Sequence, residues 1–333
     1  MARGRATLGV LAVLAVLLAA GCSAGGRPRA ALSPIRPSSL AIGPKGQLYI
    51  ADDARDQILQ AIPGGKFRVI AGTGKAGFSG DGGPAVRAEL DDPGGMTVAP
   101  DGTIYLADTG NNRVRAIAPD GRIETVAGSG AAAGWVSDGT KPLAAGLSSP
   151  DDVVLTSGGV LYIADAAEIL KLTLAGKLEV VAGTPGSRGA PRAGVRATRT
   201  SADGPSGMAF DRAGDLFVFG FNTKTLYMIS KSGRVDLPIG LSGFYPRGPA
   251  GLVTLPSGTV IAMDTQQIVE VTRDGVHVLD TLPATLLPEG IAVDASGTVY
   301  ADTWLGNGWS TETALYKLGA SGQPAFIWQS SLS

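Results

Sequence analysis

The chain has 333 residues, with 28 Lys and Arg against 29 Asp and Glu, one His and one Cys. A formal net charge of −1 argues against a nucleic-acid partner. A single cysteine rules out a disulfide framework, and a single histidine, His277, rules out metal centres built on two or three His ligands.

Met1 to Gly21 reads as a leader. Arg3 and Arg5 form a basic start, and Leu8–Ala20 is an apolar run of thirteen residues. That run is too short for a comfortable membrane span and suits a signal-peptide core. It ends in Leu18-Ala19-Ala20-Gly21-Cys22, which resembles the bacterial lipobox, with its Leu one place further back than usual. The resemblance implies a lipid on Cys22 and anchorage at the extracytoplasmic face of a bacterial cell membrane. The alternative is an ordinary secretory signal with an incidental cysteine. Residues 22–33 then form a flexible tether, because Ser23–Ser33 is Gly/Ala/Pro/Arg-rich without an apolar pattern. Losing Arg3 and Arg5 from the 28 basic residues leaves 26 against 29 acidic ones, a net of −3.

Residues 34–330 carry a repeat. Its most regular copy is Pro93 to Gly128, with predicted strands at Gly95–Ala99, Thr103–Ala107, Arg113–Ala118 and Arg122–Ala127. Asp-Gly and Gly-Asn pairs separate these runs, as in an antiparallel meander. Six Pro-containing lead-ins begin at Pro37, Pro93, Pro150, Pro205, Pro249 and Pro288, in steps of 56, 57, 55, 44 and 39. Second-strand copies follow, among them Leu48-Tyr49-Ile50-Ala51-Asp52, Ile104-Tyr105-Leu106-Ala107-Asp108 and Leu161-Tyr162-Ile163-Ala164-Asp165. One such unit cannot bury both of its faces, so the repeats are expected to close into a ring. The prediction is an all-β, six-bladed β-propeller of four-stranded repeats. The run from Asp101-Gly102-Thr103 through Ala107-Asp108-Thr109-Gly110-Asn111-Asn112-Arg113-Val114 resembles the NHL repeat, clean in the second copy and degenerate in the last three. That resemblance implies a binding platform and says little of activity.

Asp52, Asp108, Asp165, Asp264 and Asp302 end their strands, where each carboxylate is expected to cap the following turn. Asn112 and Arg113 share that reading. Tyr49, Tyr105, Tyr162 and Tyr300 are expected to pack between blades. His277 falls on an outer strand, away from a channel-facing catalytic position. No catalytic residue, metal ligand or cofactor is expected.

The candidate site lies in the departures from the repeat. Gly72–Asp92, Gly128–Ser149 and Gly183–Gly204 are long inserts between blades, and such loops often carry function. Gly77-Phe78-Ser79-Gly80-Asp81-Gly82 aligns with Gly134-Trp135-Val136-Ser137-Asp138-Gly139 at an offset of 57, each ahead of a helical turn. Phe78 and Trp135 either anchor their own inserts, with Asp81 and Asp138 capping turns, or line a binding groove. The third insert carries Arg188, Arg192, Arg196 and Arg199, either a solvated loop or a cationic patch for phosphate or carboxylate. Trp304 and Trp309 lie in an expanded loop of the sixth blade, Thr303–Ser310.

The expected function is non-enzymatic: a monomeric, membrane-tethered binding propeller recognising an envelope protein, peptide or cell-wall glycan at Phe78, Asp81, Trp135, Asp138, Arg192, Arg196, Trp304 and Trp309. The alternative is a metal-dependent hydrolase of the lactonase/gluconolactonase kind with its site in the central channel. Pro288-Glu289-Gly290 resembles the lead-in motif of those enzymes, but none of the four Asn falls on a predicted inner strand.

Overall fold

The computed structural model describes residues 35–63, 66–132, 134–236, 251–263, 267–272, 275–281, 286–305, 312–318 and 324–329. Cys22, the leader and the tether lie outside them, as do Asp264 and Trp309. Among the described residues no helix is long and apolar enough to cross a membrane.

Short β-branched runs broken by Gly turns form strands, and consecutive strands pair antiparallel because their connections are too short for a crossover. The first sheet contains β1 (Pro37–Ile42), β2 (Leu48–Asp52), β3 (Gln57–Ile62) and β4 (Lys66–Ala71). The second contains β5 (Pro93–Val98), β6 (Ile104–Asp108), β7 (Arg113–Ile117) and β8 (Ile123–Ala127), within two residues of the predicted spans. The third is β9 (Pro150–Leu155), β10 (Leu161–Asp165), β11 (Glu168–Leu172) and β12 (Leu178–Ala182). The fourth is β13 (Pro205–Phe210), β14 (Leu216–Gly220), β15 (Thr225–Ile229) and β16 (Val235–Asp236). Then come β17 (Leu252–Thr254), β18 (Val260–Met263), β19 (Gln267–Thr272) and β20 (Gly275–Thr281). The last is β21 (Leu286–Val293), β22 (Val299–Leu305), β23 (Glu312–Leu318) and β24 (Pro324–Gln329).

The first strands form a ring. β1 packs beside β5, β5 beside β9, β9 beside β13, β13 beside β17, β17 beside β21, and β21 returns to β1. Each sheet is thus a propeller blade running outward from the centre.

The apolar core sits between blades rather than inside one layer. One cluster joins Ile58 and Ala51 to Met96 and Leu106, and the next joins Val114 to Val153 and Ile163. Others join Ile169 to Met208 and Val218, and Phe217 and Phe219 to Leu252 and Val260. The remaining two join Ile261 to Ile291, and Leu40 and Leu48 to Ala292. Tyr49, Tyr105, Tyr162 and Tyr300 each pack at one of these junctions, and Tyr162 meets Phe210 edge-on at 4.9 Å.

Candidate functional site

Among the described residues, two places combine polar side chains with a defined geometry: the channel on the ring axis, and the seats of the inserts on the outer strands. The channel is a cavity of about 130 Å³ lined from all six inner strands, by Leu40, Met96, Val153, Met208, Leu252 and Ile291 among others. Asp152 brings the one carboxylate among the described lining residues, at a position where the neighbouring lead-ins have Ser39, Gly95 and Gly207. Gly95 leaves it room, because a Cβ there would stand 2.8 Å from Asp152 Cα. Both carboxylate oxygens accept backbone amides, from Val153 at 2.8 Å and from Met208 at 2.8 Å. Burial, opposed by those amides, still pushes the Asp152 carboxyl well above the usual range. Burial and the nearby Asp92 push its neighbour Asp151 to about 6.

The carboxylates ending the second strands hold tertiary contacts. Asp52 accepts the amide of Arg36, Asp108 that of Asp91, and Asp165 that of Ser148. Each donor lies just ahead of that blade's own first strand, so the caps differ from the predicted ones, whose donors were to come from the following turn. From the following turn itself come two side-chain donors, Asn111 to Asp108 at 2.9 Å and Arg55 to Asp52 at 2.7 Å. Asn112 occupies the left-handed region at φ 51° and accepts the amide of Ser149, at the lead-in to the next blade. Asp56, also at φ 51°, accepts the amide of Asp92 in the same way.

The first insert clamps the outer half of the second blade. Gly82 donates to Ile123 and Ala85 to Gly121, so the insert adds a short extra pairing to the start of β8. Its own Ala85, Ala88 and Leu90 are fully buried. Leu90 alone contributes about 1.5–3 kcal/mol in burial. The expected helical turn is a three-residue 3₁₀ segment, Ala85–Arg87. Phe78 lies under two guanidinium groups, with Arg113 3.6 Å and Arg115 4.9 Å from its ring centroid. Asp81 accepts Arg115 Nη2 at 2.8 Å and the Thr125 hydroxyl at 2.8 Å.

The second insert repeats this seat with other chemistry. Gly139 donates to Leu178, and Asp138 accepts the amide of Val180. Trp135 is half-buried, Val136 is buried, and the Val136 amide meets Glu168 Oε1 at 2.8 Å. Glu168 stands where the second blade has Arg113, and fully buried Leu170 stands where it has Arg115. Burial raises Glu168 to about 8 and Asp165 to about 7.

The third insert seats on β16, with Gly194 donating to Val235 and Ala197 to Gly233. Arg188, Arg192, Arg196 and Arg199 are all exposed. In the sixth blade Thr303, Trp304 and Leu305 extend β22 and pair with β21, where a loop was expected. Threonine and tryptophan favour that extended pairing. The side chains of Trp304 and Glu289 lie outside the described residues. His277 sits on β20, opposite Glu270.

Sequence inspection passed over Asp152, Arg115 and Glu168. Asp152 was legible as a charge at a Ser/Gly position of the repeat. Arg115 and Glu168 had no signal, because their partners lie in inserts remote along the chain.

Fold and ring define the class: an all-β propeller of four-stranded antiparallel blades. Residues 69–118, which include the first three strands of the second blade, match the family model described as the Teneurin NHL domain. Mouse Teneurin-1 is 37% identical over 92 residues, covering 24% of this chain and 3% of that protein. Protein SUPPRESSOR OF QUENCHING 1, chloroplastic, of Arabidopsis thaliana is 36% identical over 141 residues, covering 39% of this chain and 13% of that protein. Among solved structures, a gluconolactonase of Xanthomonas campestris superposes with TM-score 0.58 at 15% identity, covering 80% of this chain and 83% of the other. Virginiamycin B lyase of Staphylococcus aureus gives 0.55 at 14% identity, covering 88% and 84%. At such identities the likeness is one of fold.

Proposed function

We propose that this chain is a binding propeller carried on the extracytoplasmic face of a bacterial membrane by a lipid on Cys22. It engages an envelope protein, peptide or glycan through the insert bearing Trp135 and Asp138, with Trp304 and Trp309 adding to it. The observation that carries the non-catalytic part is the channel lining. Its one described carboxylate, Asp152, is engaged structurally: it accepts the amides of Val153 and Met208 and so ties β9 to β13. The likeness of residues 69–118 to an NHL domain supports a binding propeller, and binding residues gather on loops held by a rigid scaffold.

The test uses the lipidated chain and the variants Trp135→Ala and Trp304→Ala in cross-linking from intact envelopes. A partner set that shrinks in either variant is expected; an unchanged set overturns that assignment. The hydrolase alternative rests on Glu289 in its Pro-Glu-Gly lead-in. Stoichiometric metal in the purified protein together with lactone turnover would replace the binding reading with it.

A further inference from the structure

Arg192, Arg196 and Arg199 of the third insert are linked to one another and to Arg234 of the blade beneath. Arg196 stands directly opposite Arg234 in an antiparallel bridge, so two exposed guanidinium groups share one cross-strand pair. Arg199 follows in the same turn, donating its amide to Arg196 O at 2.9 Å. The Arg192 guanidinium reaches Arg199 O at 3.3 Å, and Arg234 Nη1 reaches Gly194 O at 2.6 Å. Backbone carbonyls thus fix two of the side chains without neutralising them.

The second blade has the same bridge with its one cation balanced. There Pro84 faces Arg122, Arg122 makes the same bond to Gly82 O at 2.6 Å, and Asp120 stands 3.7 Å away. In the fourth blade Arg196 replaces that proline, Ser232 replaces the aspartate, and Lys231 precedes it. Exposed Asp236 is the near acid on β16, and Asp215 accepts the amide of Lys231 from inside. Like charges directly opposite destabilise a strand pair. A patch built this way gains when an external anion occupies it.

We propose that Arg192, Arg196, Arg199 and Arg234 are a docking surface for the phosphate groups of an anionic membrane. The inference rests on the tethered reading above. The chain from Cys22 to β1 at Pro37 spans fifteen residues, about 50 Å when extended, enough for the rim of the ring to lie on the bilayer. Guanidinium forks match phosphate oxygens two at a time. Each basic group near an anionic surface adds several-fold to partitioning.

The full chain and the variant Arg192→Gln/Arg196→Gln/Arg199→Gln/Arg234→Gln are floated with phosphatidylcholine vesicles and with vesicles that also contain phosphatidylglycerol. The natural chain gains about tenfold or more on the anionic vesicles, and high salt or the four substitutions remove that gain. No gain, or an equal gain in the variant, overturns the proposal. A gain abolished by inorganic phosphate, but not by chloride of equal ionic strength, marks a discrete anion site and also overturns it. If neither chain associates with neutral vesicles, the tether has failed, and the anionic gain still reads the patch. Arg196→Gln alone unfolds later than the natural chain if the cross-strand repulsion is real, and an unchanged midpoint counts against it.

Discussion

Arg115 and Asp108 form an ion pair of 2.9 Å in which neither side chain has any solvent exposure. The same guanidinium continues to Asp81 at 2.8 Å and to Ser79 O at 3.1 Å. One residue therefore ties the end of a second strand to the insert arriving from the preceding blade. It also supplies one of the two cationic faces over Phe78.

Arg115→Met strands Asp108 in the core without its cation and costs about 3–5 kcal/mol. Asp81→Asn touches a half-exposed partner and costs under about 1 kcal/mol. Denaturant midpoints of the two variants check this. Equal losses would mean that the contact with Asp81, not the buried pair, carries the energy.

The third blade predicts a pH response. Burial raises Glu168 from 4.5 to about 8, and its surroundings add Asp165 and Asp138 rather than a cation. Burial, together with Asp151, raises Asp165 from 3.8 to about 7. Both groups bind protons more tightly folded than unfolded. The stability they confer is full below about pH 4 and falls as pH rises to about 8, by a few kcal/mol. Glu168→Gln keeps an acceptor for the Val136 amide and removes one titration. Its denaturant midpoint declines less steeply over that window; an identical slope would show that Glu168 does not titrate there.

Gly95 is a packing requirement of the ring. Its φ is ordinary, but a Cβ would stand 2.8 Å from Asp152 Cα, against backbone that cannot give way. Gly95→Ala costs about 1–3 kcal/mol through overpacking. Gly121→Ala meets nothing within 4 Å and pays only for its φ of +84°. Thermal unfolding of the pair separates crowding from backbone strain, and an unaffected Gly95→Ala would show that β5 and β9 can spread.

Much of the fold was legible because each blade announces itself locally. The strands of Pro93 to Gly128 were recovered within two residues, since Pro119-Asp120-Gly121 and its counterparts punctuate them. The candidate site was less legible. Phe78, Asp81 and Asp138 stood out as departures from the repeat, yet their partners Arg115, Thr125 and Val180 lie 37, 44 and 42 residues further on, read from the insert residue that meets each. No pattern within one insert encodes such a partner.

By itself the sequence determined the four-stranded blade, the turns of its clearest copies, and which segments exceed the repeat. Those follow from side-chain period, turn chemistry and spacing, all properties of neighbours along the chain. Tertiary structure alone decided what the extra residues do. Closing the ring set Asp152 into the channel wall and put Arg115 between two carboxylates. It also left Glu168 buried without a cation and set Arg196 opposite Arg234. Burial and approach of charge are properties of neighbours in space, and these appear only once the blades are packed.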